Sequence, residues 1–127
     1  MANYLHQALT EKIIRAFYTV YNKMGYGFQE KIYENSMMIE LGKMDLLSSQ
    51  QFPITAFYDK IVVGNYFADI AVEETVIVEI KSVEELTKAH EAQLLNYLKA
   101  TNYEVGLLLS FGPKPQVIRK IFENHLK

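Results

Sequence analysis

A short apolar run in the middle of the chain carries two charged residues and reads Val76–Ile77–Val78–Glu79–Ile80–Lys81–Ser82. β-Branched residues at this density predict a strand. Because strand side chains alternate between faces, Glu79 and Lys81 share one face with Ile77. A charge on a buried face is costly unless it is paired or bound to a metal. The run therefore predicts either a simple ion pair on a sheet or a functional site.

The preceding run, Phe67–Ala68–Asp69–Ile70–Ala71–Val72, adds a second carboxylate among apolar neighbours. Its position relative to Glu79 depends on the connection between the two strands. A two-residue turn would place Asp69 opposite Val78, on the face away from Glu79. A three-residue loop would place Asp69 opposite Glu79 on the same face. A functional site requires this second register or a bulge.

Two carboxylates and a lysine within a few ångströms suit phosphate chemistry. Oxygen ligands without His or Cys favour Mg²⁺ or Mn²⁺ over zinc. A Mg²⁺ held by Asp69 and Glu79 would keep positions for water and for a phosphate oxygen. Lys81 would orient or deprotonate the attacking water, or stabilise the charge on phosphorus. The set favours phosphodiester hydrolysis over sugar hydrolysis, for which the chain lacks the usual Trp.

The composition of the 127 residues predicts one cytoplasmic globular domain spanning residues 1–127. The absence of Cys excludes disulfide scaffolds, thiol nucleophiles and zinc fingers, and it fits a reducing compartment. No apolar run reaches the ~18–20 residues of a membrane span, so no membrane partner is expected. The net charge of −2 gives no support for a nucleic-acid partner, which must therefore be argued from a site.

Outward from the central run, apolar periodicity predicts four helices and four strands. The helices are expected at residues 8–23, 28–41, 84–100 and 116–125, and the strands at 52–58, 62–72, 76–82 and 105–111. Three consecutive strands suggest an antiparallel meander, and the helix that follows suggests a crossover to a parallel fourth strand. The predicted fold class is α/β (α+β), with a mixed four-stranded sheet flanked by helices.

Two of these helices carry polar residues on otherwise apolar faces. Glu30 shares the core-facing stripe of the second helix with Tyr33, which is an awkward place for a carboxylate. His90, Gln93 and Tyr97 lie on the core-facing stripe of the third helix. Gln93 and Tyr97 either hydrogen-bond to backbone beneath them or belong to the site. His90 is more typical of a surface residue or one with a local partner.

The segment Gly27–Phe28–Gln29–Glu30–Lys31–Ile32–Tyr33 resembles the signature of the GxxExxY protein family, a branch of the PD-(D/E)XK nuclease superfamily. The likeness continues through the Asp69 and Val78–Lys81 segments, residues 90–98 and residues 105–112, and it covers residues 9–121. Each motif is weak alone, but together they are specific in this order and spacing. The resemblance implies a restriction-endonuclease-like core of a helix, three antiparallel strands, a helix and a fourth strand.

The resemblance also implies a metal site. Asp69 and Glu79 match the acidic ligands of the superfamily, and Lys81 matches its motif lysine. Glu30 resembles the helix carboxylate that completes the site in several branches. The backbone carbonyl of Ile80 is a further implied ligand, and the implied cofactor is Mg²⁺ or Mn²⁺.

Other matching positions are implied to support the site or to contact nucleic acid. Gln93 and Tyr97 match the Q-x-x-x-Y pattern of the RecB-like exonuclease branch, and Tyr33 closes the GxxExxY signature. One departure is Ala68, which stands where the family pattern has Pro before its Asp. The superfamily tolerates this change, so it does not argue against activity.

Two functions follow from these observations. The first is a Mg²⁺-dependent nuclease whose partner is nucleic acid, DNA rather than RNA. The second is a non-catalytic module that keeps the nuclease fold to bind nucleic acid or protein, as the small size and the net charge of −2 would suit. No organic cofactor is expected, and homo-oligomerisation is left open.

Overall fold

The computed structural model describes residues 5–127 and contains one mixed sheet with helices on both faces. The elements follow one another as α1 (Gln7–Met24), α2 (Glu30–Lys43), β1 (Ser48–Tyr58), β2 (Ile61–Val72), β3 (Val76–Lys81), α3 (Lys88–Lys99), β4 (Val105–Phe111) and β5 (Pro115–Ile121), with a final 3-10 turn at Asn124–Leu126. None of the helices in this described part is long and apolar enough to cross a membrane.

The sheet has the strand order β1-β2-β3-β4-β5. Strands β1, β2 and β3 form an antiparallel meander, and β4 pairs parallel to β3 after the crossover through α3. The predicted meander and crossover are therefore confirmed. β1 begins at Ser48, earlier than predicted, and Pro53 lies on this edge strand, where a missing N–H is tolerated.

The predicted helix at residues 116–125 is wrong. Residues Pro115–Ile121 instead form β5, which pairs antiparallel with β4 and makes the sheet five-stranded rather than four-stranded. The apolar spacing of this segment also fits a short helix, but β4 offers an unpaired edge directly after the turn at Gly112. Pairing along that edge satisfies the backbone of both strands, which a marginal ten-residue helix would not do.

Helix α3 begins at Lys88 rather than near residue 84 because Thr87 caps it. The Thr87 hydroxyl accepts a hydrogen bond from the His90 amide, and His90 Nδ1 accepts one from the Thr87 amide at 3.0 Å. This reciprocal capping box fixes the first turn of the helix. His90 thus has a local partner, as its position on a helix suggested.

Two hydrophobic clusters lie on opposite faces of the sheet. The larger one packs α1 and α2 against alternate residues of β3, namely Val76, Val78 and Ile80. The smaller one packs α3 against the other face and contains Ile54, Ala68, Ile77, Leu94, Tyr97, Leu98 and Leu108. This division confirms the predicted alternation along β3. It places the Glu79 face of the strand toward α3.

The outer part of the β1–β2 hairpin extends beyond the rest of the sheet. β2 pairs with β3 only through Ile70–Val72, whereas its pairing with β1 continues to Ile61. Asp59 and Lys60 form the tip, both with positive φ (51° and 66°), as a type I′ turn requires. The hairpin therefore projects beside α3 and forms one wall of a pocket between the two.

Candidate active site

The β2–β3 connection sets the relative position of the two predicted carboxylates. Val72 pairs with Val76 and Ile70 with Val78, so Glu73–Thr75 forms a three-residue loop. Continuing this register by one pair places Asp69 opposite Glu79 on the same face. The structure thus has the register that a functional site requires.

Regular pairing between β2 and β3 ends just before Asp69 and Glu79. At these two residues, side-chain carboxylates accept the backbone hydrogen bonds instead. The Asp69 amide donates to the Glu79 carboxylate at 2.7 Å, and the Ile80 amide donates to the Asp69 carboxylate at 2.7 Å. Each carboxylate therefore satisfies a backbone donor that the diverging strands leave free. Both side chains are fixed in orientation by these reciprocal bonds.

Both carboxyl groups are harder to ionise than they would be in water. Burial raises the pKa of Glu79 from its usual 4.5 to about 8; the nearby Asp69 charge also raises it, and the hydrogen bond from the Asp69 amide opposes the shift. Burial likewise raises the pKa of Asp69; the hydrogen bond from the Ile80 amide opposes the shift. The pair is thus a buried acidic site at which the nearby positive charge does not offset the cost of burying two carboxylates.

Lys81 is the nearest source of positive charge. It lies two residues after Glu79 on the same strand face, and its charge lowers the pKa of both carboxyl groups. Its side chain is half-buried and forms no ion pair within 4.0 Å among residues 5–127. The ammonium group is therefore available to a ligand at the edge of the site.

Glu30 reaches the same edge from the first turn of α2. Its carboxylate accepts a hydrogen bond from the Ser82 amide at 3.2 Å, and its negative charge contributes to the raised pKa of Asp69. The contact ties α2 to the end of β3. The side chain itself is exposed, so the apolar stripe does not bury it as the sequence suggested.

Tyr33 holds the loop that precedes Glu30. The ring is fully buried and stacks on Phe111 at 4.3 Å between centroids. Its hydroxyl donates to the Gly25 carbonyl at 2.6 Å and accepts from the Phe28 amide at 3.1 Å. This burial leaves Tyr33 a positioning role and excludes direct contact with nucleic acid.

The structure brings Tyr97 to the site and places Gln93 beside it. Burial and, after it, the negative charges of Glu79 and Asp69 together raise the pKa of Tyr97 to about 12, so the phenol lies within the field of the acidic pair. Gln93 is exposed and lines a pocket with Tyr97. Within residues 5–127 neither side chain hydrogen-bonds to the backbone, and Tyr97 packs in the α3 cluster.

Glu34 is a further acidic residue that the sequence analysis missed. It is 4% exposed, pairs with Lys31 Nζ at 2.9 Å and accepts hydrogen bonds from Gln50 and Gln51. Its negative charge raises the pKa of Asp69. The available signal was its spacing, because Glu34 follows Glu30 by four residues and so lies on the same helix face.

The acidic pair fits a divalent cation as a two-carboxylate site. Within residues 5–127, no group of three or more His, Cys, Asp and Glu side chains could hold a metal ion, and Glu30 is engaged with Ser82. Mg²⁺ is commonly bound by one or two carboxylates, with waters and substrate phosphate completing its shell. Positive charge between Asp69 and Glu79 would favour the ionised form of both carboxyl groups and so oppose the burial that raises their pKa values.

A three-strand meander, a crossover to a parallel strand and an acidic pair where two strands diverge define a restriction-endonuclease-like class of protein. The family model of the PD-(D/E)XK nuclease superfamily matches residues 7–121, and the chain belongs to this superfamily.

The chain was also compared with solved structures and with curated proteins. The crystal structure of SSO0001 superposes with a TM-score of 0.51 at 17% sequence identity and covers 73% of this chain, which shows a shared fold. The match spans 50% of the length of SSO0001. No curated protein matches the chain.

Proposed function

We propose that this chain is a divalent-metal-dependent nuclease that hydrolyses phosphodiester bonds of nucleic acid, and DNA in preference to RNA. The observation that carries the proposal is the reciprocal pairing of Asp69 and Glu79 with backbone amides beside Lys81. Membership of the superfamily supports the reaction class. The preference for DNA rests on the resemblance alone.

In this proposal Asp69 and Glu79 hold Mg²⁺ or Mn²⁺ together with the Ile80 carbonyl, and Glu30 borders the site through its hydrogen bond from the Ser82 amide. A bound divalent cation would supply positive charge at a phosphate oxygen and at the attacking water. The Lys81 ammonium donates hydrogen bonds that orient this water or stabilise the charge on phosphorus. The backbone amides of Asp69 and Ile80 keep both carboxylates in place during the reaction.

The remaining residues support this arrangement from both sides. Tyr33 fixes the loop before Glu30, and Gln93 and Tyr97 border the site from α3 and contact the nucleic acid or the acidic pair. We further infer that the chain is a single cytoplasmic domain of the GxxExxY branch, on the basis of the Gly27–Tyr33 signature and the absence of Cys.

The test is a cleavage assay of the purified protein on single- and double-stranded DNA and RNA with Mg²⁺, Mn²⁺ or EDTA. We expect cleavage with either metal, none in EDTA, and a loss of about 100-fold or more in Lys81→Ala. Lys60→Ala is the matched control, because Lys60 is exposed at the hairpin tip and should leave the rate unchanged.

Failure to cut any substrate would be resolved by calorimetric titration with Mn²⁺. Binding of Mn²⁺ without cleavage would indicate that a partner is required. Absence of both would overturn the nuclease proposal and favour a non-catalytic binding module that retains the fold.

A further inference from the structure

A pocket of about 520 Å³ opens between α3 and the outer part of the β1–β2 hairpin. Its space is created by small side chains, since Ala89 and Ala92 line it from α3, Ala100 lines it from the residue that caps this helix, and Ala56 lines it from β1. Ligand pockets of about 300–1,000 Å³ with mostly apolar walls are typical of small-molecule recognition. The dimensions therefore suit one planar group of a larger substrate.

The pocket adjoins the acidic pair. Tyr66 forms one wall and lies three residues before Asp69 on β2, which corresponds to about 10 Å along a strand. Tyr97 forms another wall, with its ring centroid 5.8 Å from that of Tyr66. Tyr97 also packs in one cluster with Ile77, which precedes Glu79 by two residues. A substrate bound at Asp69 and Glu79 can therefore extend directly into the pocket.

The walls carry aromatic and amide groups but no charge. Tyr66 is 49% exposed and offers its ring, while Gln93 and Asn96 each present an amide that both donates and accepts hydrogen bonds. None of the residues that line the pocket in the described structure is charged. A phosphate would find no counter-charge there, whereas a heteroaromatic base would find a stacking surface and partners for its polar edge.

We propose that this pocket binds one unpaired nucleobase of the substrate, adjacent to the phosphodiester held at Asp69 and Glu79. The proposal rests on the proposed nuclease function and narrows it to single-stranded nucleic acid, or to duplexes with an unpaired nucleotide. A base that enters the pocket has left its stack and its pairing partner. Stacking on Tyr66 is tolerant of sequence, because every base has a π face.

The experiment measures how much the bases contribute to binding, separately from the sugar–phosphate backbone. Binding is measured in EDTA, which prevents cleavage, with a single-stranded DNA oligonucleotide and with the same backbone made abasic throughout. Base–aromatic stacking predicts that the wild-type protein binds the normal strand roughly 5- to 150-fold more tightly than the abasic strand. Tyr66→Ala is expected to remove most of this ratio.

Matched variants distinguish a loss of base binding in the pocket from a loss of folding. Tyr58→Ala removes another tyrosine of the same hairpin, 70% exposed and outside the pocket, and should keep the ratio. Ala92→Leu fills the pocket from the exposed face of α3 and should abolish the ratio without removing any packing. Ala8→Leu is its control on α1, also at an exposed position.

Two results would overturn the proposal. One is equal affinity of the wild-type protein for normal and abasic strands. The other is an equal loss for both strands in Tyr66→Ala and Ala92→Leu. Failure here is distinguishable from failure of the nuclease proposal, because cleavage is measured separately. Metal-dependent cutting without base dependence would retain the nuclease and reject the pocket. Base dependence without either cutting or Mn²⁺ binding would retain the pocket and reject the nuclease.

Discussion

The two ends of strand β2 differ sharply although they belong to one continuous element. The inner end, Ile70–Val72, pairs with β3 as well as with β1 and is buried. The outer end pairs with β1 alone, and Ile61 there is 68% exposed. Asp69 lies at the boundary. Ile70 packs in the α1–α2 cluster, whereas Ala68 packs in the α3 cluster. Residues two apart in a regular strand share a face, so the alternation of β2 is interrupted at Asp69.

This difference in strand pairing explains why Asp69 and Glu79 lie at the boundary between the two ends of β2. At the inner end, Ile70–Val72 pair with β1 on one side and with β3 on the other. At the boundary the amides of Asp69 and Ile80 lose their ladder partners, and the two carboxylates take their place. The inner end is therefore buried, the outer end is exposed, and the acidic pair lies at the junction between them.

The largest expected effect comes from removing a charge at the junction. Glu79→Gln should reduce cleavage by roughly 10³-fold, because the variant loses a ligand for the cation and the electrostatic stabilisation that depends on it. The fold should remain intact, because the Gln amide oxygen can still accept the hydrogen bond from the Asp69 amide and because burial disfavours the charge that is removed. Cleavage and circular dichroism of the same sample check both statements.

Glu74→Gln is the matched control for this variant, because Glu74 is exposed in the β2–β3 loop. It should cut at the wild-type rate. If Glu79→Gln unfolded the protein, the pair would be structural rather than catalytic.

The second prediction tests the two ends of β2 directly with the same substitution. Ile70→Ala removes a fully buried side chain and should lower the free energy of unfolding by about 2–5 kcal/mol. Ile61→Ala, at an exposed position, should change it by less than about 0.5 kcal/mol. Urea denaturation measures both values. Similar losses at the two positions would show that the outer end is buried in solution, for instance by a second copy of the chain.

Much of the fold could be predicted because its signals are local. Alternation along Val76–Lys81 specified the faces of β3, and the helix before β4 specified the parallel crossover. β5 could not be predicted in this way, because its apolar spacing fits helix and strand equally and only the unpaired edge of β4 decides between them. Long-range pairing of this kind leaves no mark in a short window of sequence.

The site was predictable as a set of candidates rather than as an arrangement. The sequence left two registers open for Asp69, and the loop Glu73–Thr75 selects one of them through two residues with positive φ (53° and 50°). Glu34 could not be predicted, because its sequence neighbours give no sign that Gln50 and Gln51 would donate hydrogen bonds to its carboxylate. Partners supplied by a distant strand are visible only after folding.

The third prediction concerns the cation. If Mg²⁺ binds the junction with a Kd near 1 mM, 10 mM Mg²⁺ should stabilise the protein by about 1.4 kcal/mol at pH 7.5. Thermal unfolding at matched ionic strength, with NaCl replacing MgCl₂, measures this shift. Asp69→Asn should abolish it, because one of the two carboxylates is lost. An equal shift in both proteins would place the bound cation elsewhere on the surface.

The last prediction concerns the pH dependence of stability without metal. The folded-state pKa of Glu79 is raised from 4.5 to about 8, so the folded protein retains a proton that the unfolded chain releases. The resulting stabilisation is fully present below pH 4.5 and is lost as pH rises through 8. Relative to wild type, Glu79→Gln should therefore gain stability as the pH rises from 5 to 8, by on the order of 1 kcal/mol for each pH unit. Urea denaturation in EDTA across this range tests the sign, and a constant difference would show that Glu79 is already ionised in the folded protein at pH 5.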